Sequence, residues 1–583
     1  FNGNNHTIGG VYINPTEVAT SDKYQGLFGY ANGATINDIA IVGSYIQGYN
    51  FIGGVVGYLS GGKLNHCSNN GRVSGTDNIG GVAGYGVNVT ILNCDNNGLV
   101  SGNGKYVGGI VGYNHAIGKP PSTVMNSRNS GSVTGSSNVG GVVGCSTSNI
   151  SITNSSNSGS VSGTDYIGGV VGWLPKGYLE NSWNEGSVSG ENCVGGVVGN
   201  NQGAVMNCQN KGDISGNSSV GGVVGEHYGT VTNCQNSSSI SGDDKTGGIV
   251  GYNYGTVQYC CNTGTINCGV FGGGIAGYNQ GLNRTVLIQY CYNLGNINGG
   301  SNNYIGGVVG CNNAFSNNTL NGSAKVEYCY NAGSVKGGNY VGGLVGYNSK
   351  SKDTDTCLVQ YCYNTGGLAP IYKTGGGGCV GYNTGGSISN CFYDKQMCTL
   401  GGITDKDYTG RAEGRLTSEM VGESLSSGLG ETSIWVFTDS LYPLLADMDS
   451  TDAAYVSAAP LTLFSTGTDT YNTVDNVTNG FTLCGFNDVT WYCGVTKLTN
   501  SLTVSIDSVG ITLTAQLGGA YKNITLKTAT GIANVDVNVA TPPDPTVWDG
   551  TMPEADPVCS FSGGGGSESD PYLISSAADL AQL

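Results

Sequence analysis

Apolar residues in this chain come in short alternating bursts, and one burst returns on a fixed beat: Ile52-Gly53-Gly54-Val55-Val56-Gly57-Tyr58. The phrase recurs from Ile79, Val107, Val139, Ile167, Val194, Val220 and Thr246, around Gly273-Gly274-Ile275-Ala276-Gly277-Tyr278, and then from Ile305, Val341 and Gly377. Its second glycine stands at positions 54, 81, 109, 141, 169, 196, 222, 248, 274, 307, 343 and 378. The step is therefore 26 to 28 residues, apart from one of 32 and three late ones of 33, 36 and 35. A period of this length marks a solenoid. Between copies lie stretches such as Gly212-Asp213-Ile214-Ser215-Gly216 and Gly229-Thr230-Val231-Thr232-Asn233-Cys234. They predict about three strands of roughly 4 to 7 residues per repeat, bounded by Gly, Asn and Ser. No such repeat buries an apolar face alone, so successive repeats stack as coils with parallel ladders. The predicted fold is all-β: a parallel β-solenoid over residues 1–400, whose roughly twelve coils at ~4.8 Å per rung make a rod about 60 Å long.

Two columns follow from the period. Cysteine exchanges with serine at Cys67, Cys94, Ser127, Ser155, Ser182, Cys208, Cys234, Cys260, Cys291, Cys329, Cys362 and Cys391, which predicts a small, tight slot. Two positions on, asparagine recurs at Asn69, Asn96, Asn129, Asn157, Asn184, Asn210, Asn236, Asn262, Asn293, Asn331 and Asn364, where amides can hydrogen-bond rung to rung. Stacked cysteines point in parallel, so the column reads as buried thiols. The off-column Cys145, Cys193, Cys268, Cys311, Cys357, Cys379 and Cys398 are the better disulfide candidates. Tyr292, Tyr330 and Tyr363 follow the cysteine column and by alternation face the other way, as exposed contact residues. The rings that end the phrase (Tyr58, Tyr85, Tyr113, Trp173, Tyr252, Tyr278, Tyr347, Tyr382) read as inward corner packing. Turned outward, they would form a stripe suited to sugar rings or a neighbouring filament.

From residue 401 the beat stops. An open solenoid end exposes core and unpaired backbone, so residues 401–450 read as a cap. A short helix is expected at Arg415–Val421, and a strand at Trp435-Val436-Phe437 followed by Tyr442-Pro443-Leu444-Leu445. Residues 451–540 alternate, as in Leu502–Ile506 and Val535–Val539, and predict an immunoglobulin-like β-sandwich in which Cys484 and Cys493 could pair across a hairpin. A Pro/Gly-rich linker, 541–566, leads to a strand and helix start at 567–583.

Composition narrows the functions. The net charge of −17, from 22 Lys+Arg against 39 Asp+Glu, gives no basic footprint for nucleic acid or an anionic membrane. No apolar run approaches the roughly 18 to 20 residues of a membrane helix. With 103 Gly, 13 Pro and only 10% charged residues, the glycine belongs to ordered turns. The start at Phe1 reads as a processed chain or a segment of a longer one. The four histidines, His6, His66, His115 and His227, make no His-Glu-x-x-His spacing, and no metal or cofactor is expected. The acidic pairs Asp243-Asp244 and Asp353/Asp355 lie in turns, whereas a glycosidase holds two carboxyls roughly 5 to 10 Å apart in a groove. They read as solvated, and the chain as non-enzymatic.

The phrase with its companion Asn207-Cys208-Gln209-Asn210-Lys211-Gly212-Asp213-Ile214-Ser215-Gly216 resembles the GLUG repeats of bacterial surface proteins, over about residues 1 to 450. The resemblance implies a right-handed solenoid on an exported, extracellular or cell-surface protein, and no catalytic residues. The tail phrase Gly566-Ser567-Glu568-Ser569-Asp570-Pro571-Tyr572-Leu573-Ile574 is similar to a stretch that in such proteins precedes a segment like Phe1-Asn2-Gly3-Asn4-Asn5-His6-Thr7-Ile8. That inverted order implies either one unit of a longer tandem chain or a tail that completes the next molecule. The second case is a head-to-tail homopolymer in which Tyr572, Leu573, Ile574, Leu580 and Leu583 meet Phe1, Asn2 and Ile8. The alternatives are a module of a non-polymerising adhesin binding glycans or proteins of a host or neighbouring cell, and a carbohydrate-active solenoid enzyme.

Overall fold

The computed structural model describes residues 1–446, except 16, 119–120, 149, 318–319, 373–374, 396, 399, 417–418, 421, 431–432 and 438–441, and the backbone of five strands between 490 and 539. From Asn2 to Arg415 the chain winds as a parallel β-solenoid in which each strand pairs with its equivalents one coil earlier and one coil later. A representative coil comprises Asp165–Gly168, Val171–Leu174, Tyr178–Glu180, Trp183–Asn184 and Val188–Ser189. These are five segments of 2 to 4 residues, where the sequence predicted three longer ones. Left-handed residues make the extra corners: Asn181, at φ 50°, turns the chain between Glu180 and Trp183. Asparagine tolerates that conformation because its short amide bonds locally.

The interior is divided in two. Val55, Val56, Leu64 and their equivalents line one apolar compartment with the cysteine column, and Ile52, Val73 and theirs line the other. Between them the second glycine of the phrase faces an asparagine across the coil. A Cβ on Gly196 would stand 2.3 Å from Asn210 Cγ and 2.1 Å from the carbonyl oxygen of Gly222, so only glycine fits.

Extra residues enter mainly at one corner, after the phrase strand: His115 to Ser122, Phe315 to Ser323 and Lys350 to Thr356. Pairing resumes in register on both sides, with Val309 opposite Val345 and Val326 opposite Val359. The wide late coils gain a small side core of Val286, Ala314, Ala324 and Cys357.

The two ends differ. At the first, Asn2–Gly9 pairs with residues 37–42 and Tyr12–Ile13 with Tyr45–Ile46, and among the described residues no strand lies on their outer side. Ile8, Leu27 and Phe28 cover one compartment only partly, and Val11 and Ile13 the other. At the second end, parallel pairing runs past the expected limit at 400: Cys391 to Asp394 pair with Ala412 to Arg415, and Ile403 bridges Val380. The helix expected at 415–421 is instead a 3-10 turn at Gly422–Leu425 and a short α turn at Ser426–Leu429, since Arg415 still belongs to the last rung. Trp435–Val436 then pairs antiparallel with Leu444–Leu445.

Further on, Thr490–Cys493 and Ile532–Val539 flank Gly519–Lys527, and Leu502–Ile506 pairs with Ile511–Ala515, all antiparallel. The expected immunoglobulin-like packing of these strands, the linker and the tail lie outside the described residues.

Candidate functional site

The asparagines at the cysteine-plus-two position form one buried amide ladder. Each Nδ2 donates to the Oδ1 of the next coil, from Asn69 to Asn96 at 2.8 Å, onward through Asn184 to Asn210 at 2.9 Å and Asn262 to Asn293 at 2.8 Å, and finally from Asn331 to Asn364 at 2.8 Å. The same nitrogen also donates to its own carbonyl two residues on, as Asn210 does to Gly212 at 2.9 Å. Each amide is thereby satisfied where burial would otherwise cost several kcal/mol, roughly 2–7 for an unpaired amide. The cysteine column beside it (Cys67, Cys94, Cys208, Cys234, Cys260, Cys291, Cys329, Cys362) is buried, and Ser127, Ser155 and Ser182 accept a backbone N–H from the preceding coil.

A second amide column, one residue past the phrase-ending ring, escaped the sequence reading. It runs Asn253, Asn279, Asn312, Asn348, Asn383 with bonds of 2.7 to 2.8 Å. His227 occupies this column fully buried, between Asn201 and Asn253. Asn201 Nδ2 donates to His227 Nδ1 at 3.1 Å, and His227 Nε2 donates to the carbonyl of Thr256 at 3.1 Å. Burial holds its pKa down at about 4, so the ring is neutral. The signal for the column was the repeated Tyr-Asn after the last glycine of the phrase.

Tyr292, Tyr330 and Tyr363 are not exposed contacts: they are 5%, 0% and 1% exposed. They face away from the coil interior, as alternation requires, but the segment after Arg415 folds back along the flank and covers them. Met420, Leu425, Leu429, Trp435, Tyr442 and Leu445 pack on the stack, whose rings lie 5.1 and 5.0 Å apart. Tyr363 donates to the carbonyl of Pro443 at 2.5 Å, and Tyr442 to Asp394 at 2.7 Å. Alternation sets direction, but a segment some 60 to 150 residues away in the chain decides burial.

The phrase-ending rings also differ from expectation. In the strand Val111–His115, Val111 and Asn114 are buried while Tyr113 is half-buried, so this column points outward rather than into the corner. Tyr30, Tyr58, Tyr85 and Tyr113 stack at 5.2, 4.9 and 4.9 Å. A second column beside it sets Tyr24, Phe51 and Tyr106 edge-on against those rings. Burial pushes the Tyr85 phenol up to about 12, so the hydroxyl stays neutral.

Among the described residues no disulfide forms. All seventeen cysteines there are thiols, including the off-column Cys145, Cys193, Cys268, Cys311, Cys357, Cys379 and Cys398. Cys145 and Cys311 take phrase-ring places six coils apart, Cys193 is a left-handed corner, and Cys357 sits in the side core. The pair Cys484 and Cys493 lies outside the described residues. Of the acidic residues, Asp244 pairs with Lys245 and Ser218, and Asp355 is buried, accepting from Gly322 N–H, Ser351 Oγ and Lys352 N–H, a clasp for its corner loop. Among the described residues no cluster of three His, Cys, Asp or Glu could hold a metal, and no helix is long and apolar enough to cross a membrane.

At the first end, Phe1 is 59% exposed and packs edge-on against Phe28, Asn2 is exposed, and Ile8 is half-buried over the core. Their expected partners Tyr572, Leu573, Ile574, Leu580 and Leu583 lie outside the described residues.

No curated protein and no solved structure matches the chain. The family model of the GLUG motif matches residues 103–134 and 190–215. Each of those stretches runs once around the solenoid, from the corner before one phrase to the strand that follows it, Val133-Thr134 in the first and Ile214-Ser215 in the second. Two coils of this solenoid therefore match the GLUG motif.

Proposed function

We propose that the chain is a non-enzymatic structural protein of the extracellular or cell-surface space, and that its solenoids join head to tail into a fibre. The observation that carries this reading is the inequality of the two ends. At one, the loop between the last two strands lies on the final rung, with Ile403 buried and bridged to Val380, while at the other the strand Asn2–Gly9 has, among the described residues, no strand on its outer edge above two partly covered core compartments. Such an edge takes a further strand at little cost, because main-chain bonds supply affinity and alternate side chains the register. Residues 567–583 of another copy would provide it, with Tyr572 and Ile574 laid over Phe1 and Ile8. The contact is heterologous, and one that does not close gives a filament.

Electron microscopy of the intact chain beside a variant lacking 567–583 tests this. Fibres from the first and single rods from the second are expected. Single rods from both would replace the reading by its rival, a non-polymerising adhesin stalk, which the outward aromatic columns favour.

A further inference from the structure

The corner residue just before each phrase is left-handed in every coil from Tyr24 to Tyr340, with φ between 51° and 66°. Asn, Ser, Cys or Lys fills it at Asn78, Asn138, Cys193, Ser219 and Lys245, but an aromatic fills the other seven positions. A left-handed conformation costs a residue with a Cβ about 1–2 kcal/mol, and asparagine bears it best. Aromatic rings here are against local preference, and an outlier of this kind asks for a reason.

The same chain supplies a control. A second left-handed column begins with Asp38 and His66, holds asparagine at Asn93, Asn126, Asn154, Asn181, Asn207 and Asn233, turns aromatic at Tyr259, Tyr290, Tyr328 and Tyr361, and returns to asparagine at Asn390. The change coincides with the coils on which the flank segment lies: Tyr290 and Tyr328 pack against its apolar residues, and Gly430 passes beside Tyr361. Three of those four aromatic corners, Tyr290, Tyr328 and Tyr361, lie against the flank segment. On the opposite column the aromatics recur, and among the described residues no segment covers them: Tyr24 is 41% and Tyr30 58% exposed.

The covered and the open surface differ in chemistry. Beneath the flank segment the rings are buried under Trp435, Tyr442 and leucines. On the open flank the rings remain half-exposed, and hydroxyls are tied to polar neighbours, Thr147 to Tyr113 at 3.1 Å, Asn313 to Tyr278 at 2.9 Å and Thr384 to Tyr347 at 2.9 Å. From Tyr24 and Tyr30 to Tyr113 the rings are ordered by stacking on one another, and they combine apolar ring surface with hydroxyl rims, of which that of Tyr113 is tied to Thr147. Their 4.9 to 5.2 Å spacing along the axis is close to the length of one pyranose in an extended chain. A pyranose has the complementary build, an apolar C–H face within a rim of hydroxyls, and an extended chain of them repeats on the same axis.

We propose that the double aromatic column from Tyr24 and Tyr30 to Tyr113 is a binding site for an extended, neutral, β-linked polysaccharide lying along the solenoid axis, one sugar per coil. This goes beyond fibre formation and does not depend on it, since the site sits on the flank and the assembly edge at the end.

The test uses the intact chain with a β-1,4-linked glucose hexamer and, as control, the α-1,4-linked hexamer, whose chain coils. Calorimetry is expected to show binding of the β-linked hexamer at least tenfold tighter than the α-linked one. In the native protein, the β-linked hexamer should protect Tyr58 and Tyr85 from nitration, read by peptide mass spectrometry. The double variants Tyr58→Ala/Tyr85→Ala and Tyr58→Leu/Tyr85→Leu should each lose at least tenfold in affinity, the leucine pair keeping apolar cover at these half-buried positions, with unchanged far-ultraviolet circular dichroism as the check on folding. No binding of the β-linked hexamer, equal binding of both hexamers, unprotected tyrosines or an unaffected leucine variant would each overturn the proposal. So would lateral rod association that needs these tyrosines in the absence of any sugar binding, which would assign the flank to a second copy of the chain.

Discussion

Two columns of buried amides run side by side through this solenoid with the same spacing and the same side chain, and they fare differently. The column from Asn69 to Asn364 is unbroken, and every amide before Asn364 donates to the next coil and to its own turn. The column that includes Asn114 is interrupted. Asn114 lies between Gly86 and Ser146, neither of which carries an amide, and both its Oδ1 and Nδ2 are buried without a hydrogen-bond partner among the described residues. Leu59 and Leu174 take the same place in other coils, and only from Asn253 onward does a continuous run resume. An isolated buried amide is a cost, whereas the same amide in a stack is satisfied by copies of itself. Repetition is what converts asparagine from a liability to a ladder.

Breaking the unbroken column should have the largest effect. Asn210→Leu strands one N–H of Asn184 and the backbone N–H of Gly212 and takes one of two donors from Asn236 Oδ1, which keeps Ser238 Oγ; each orphaned group costs roughly 1–3 kcal/mol, so a loss of about 4 kcal/mol is expected. Because repeat stability is local, faster amide hydrogen exchange should spread over the coils on either side of 210 and fade beyond them. Acid tests the mixed column. The folded pKa of His227 is about 4, against about 6.5 unfolded, so the unfolded chain takes up the proton first. The stabilisation is fully present above pH 6.5 and is lost as pH falls toward 4, about 3 kcal/mol in all at 1.36 kcal/mol per unit, read from urea melts across that range. His227→Asn, which restores the amide run, should flatten that slope. The smallest effect has the opposite sign: Asn114→Leu should raise stability by about 1–2 kcal/mol, seen as a higher urea midpoint, because an unpaired amide gives way to the residue already used at Leu59.

The period of the glycine phrase was enough to read the fold class, since a repeat of this length with short alternating strands has few ways to bury its apolar face. Asn69 and its equivalents share that period, so their stacking follows from it. The Asn253 to Asn383 run shares it too, but it lies just outside the phrase and begins only in the later coils, where local pattern no longer draws the eye. Alternation alone misplaces Tyr330, for a different reason. Alternation tells which way a ring points along its own strand, and Trp435, about a hundred residues on, is invisible to it. The phrase rings at Tyr58 and Tyr85 point out because the glycine before each faces the crowded backbone of its neighbours, leaving a ring no room inside. Sequence gave the glycine but not what lay against it.

Insertions at a single corner have a consequence for length. A coil of 26 residues and one of 36 advance the axis by the same single rung, because Val309 still meets Val345 and Val326 still meets Val359 across the longest insertions. Reach along the axis is therefore counted in turns of the chain and not in amino acids. The molecule works as a ruler whose graduations stay fixed while the text written beside each mark grows or shrinks, so a loop can be remodelled at one graduation without moving any feature displayed at another.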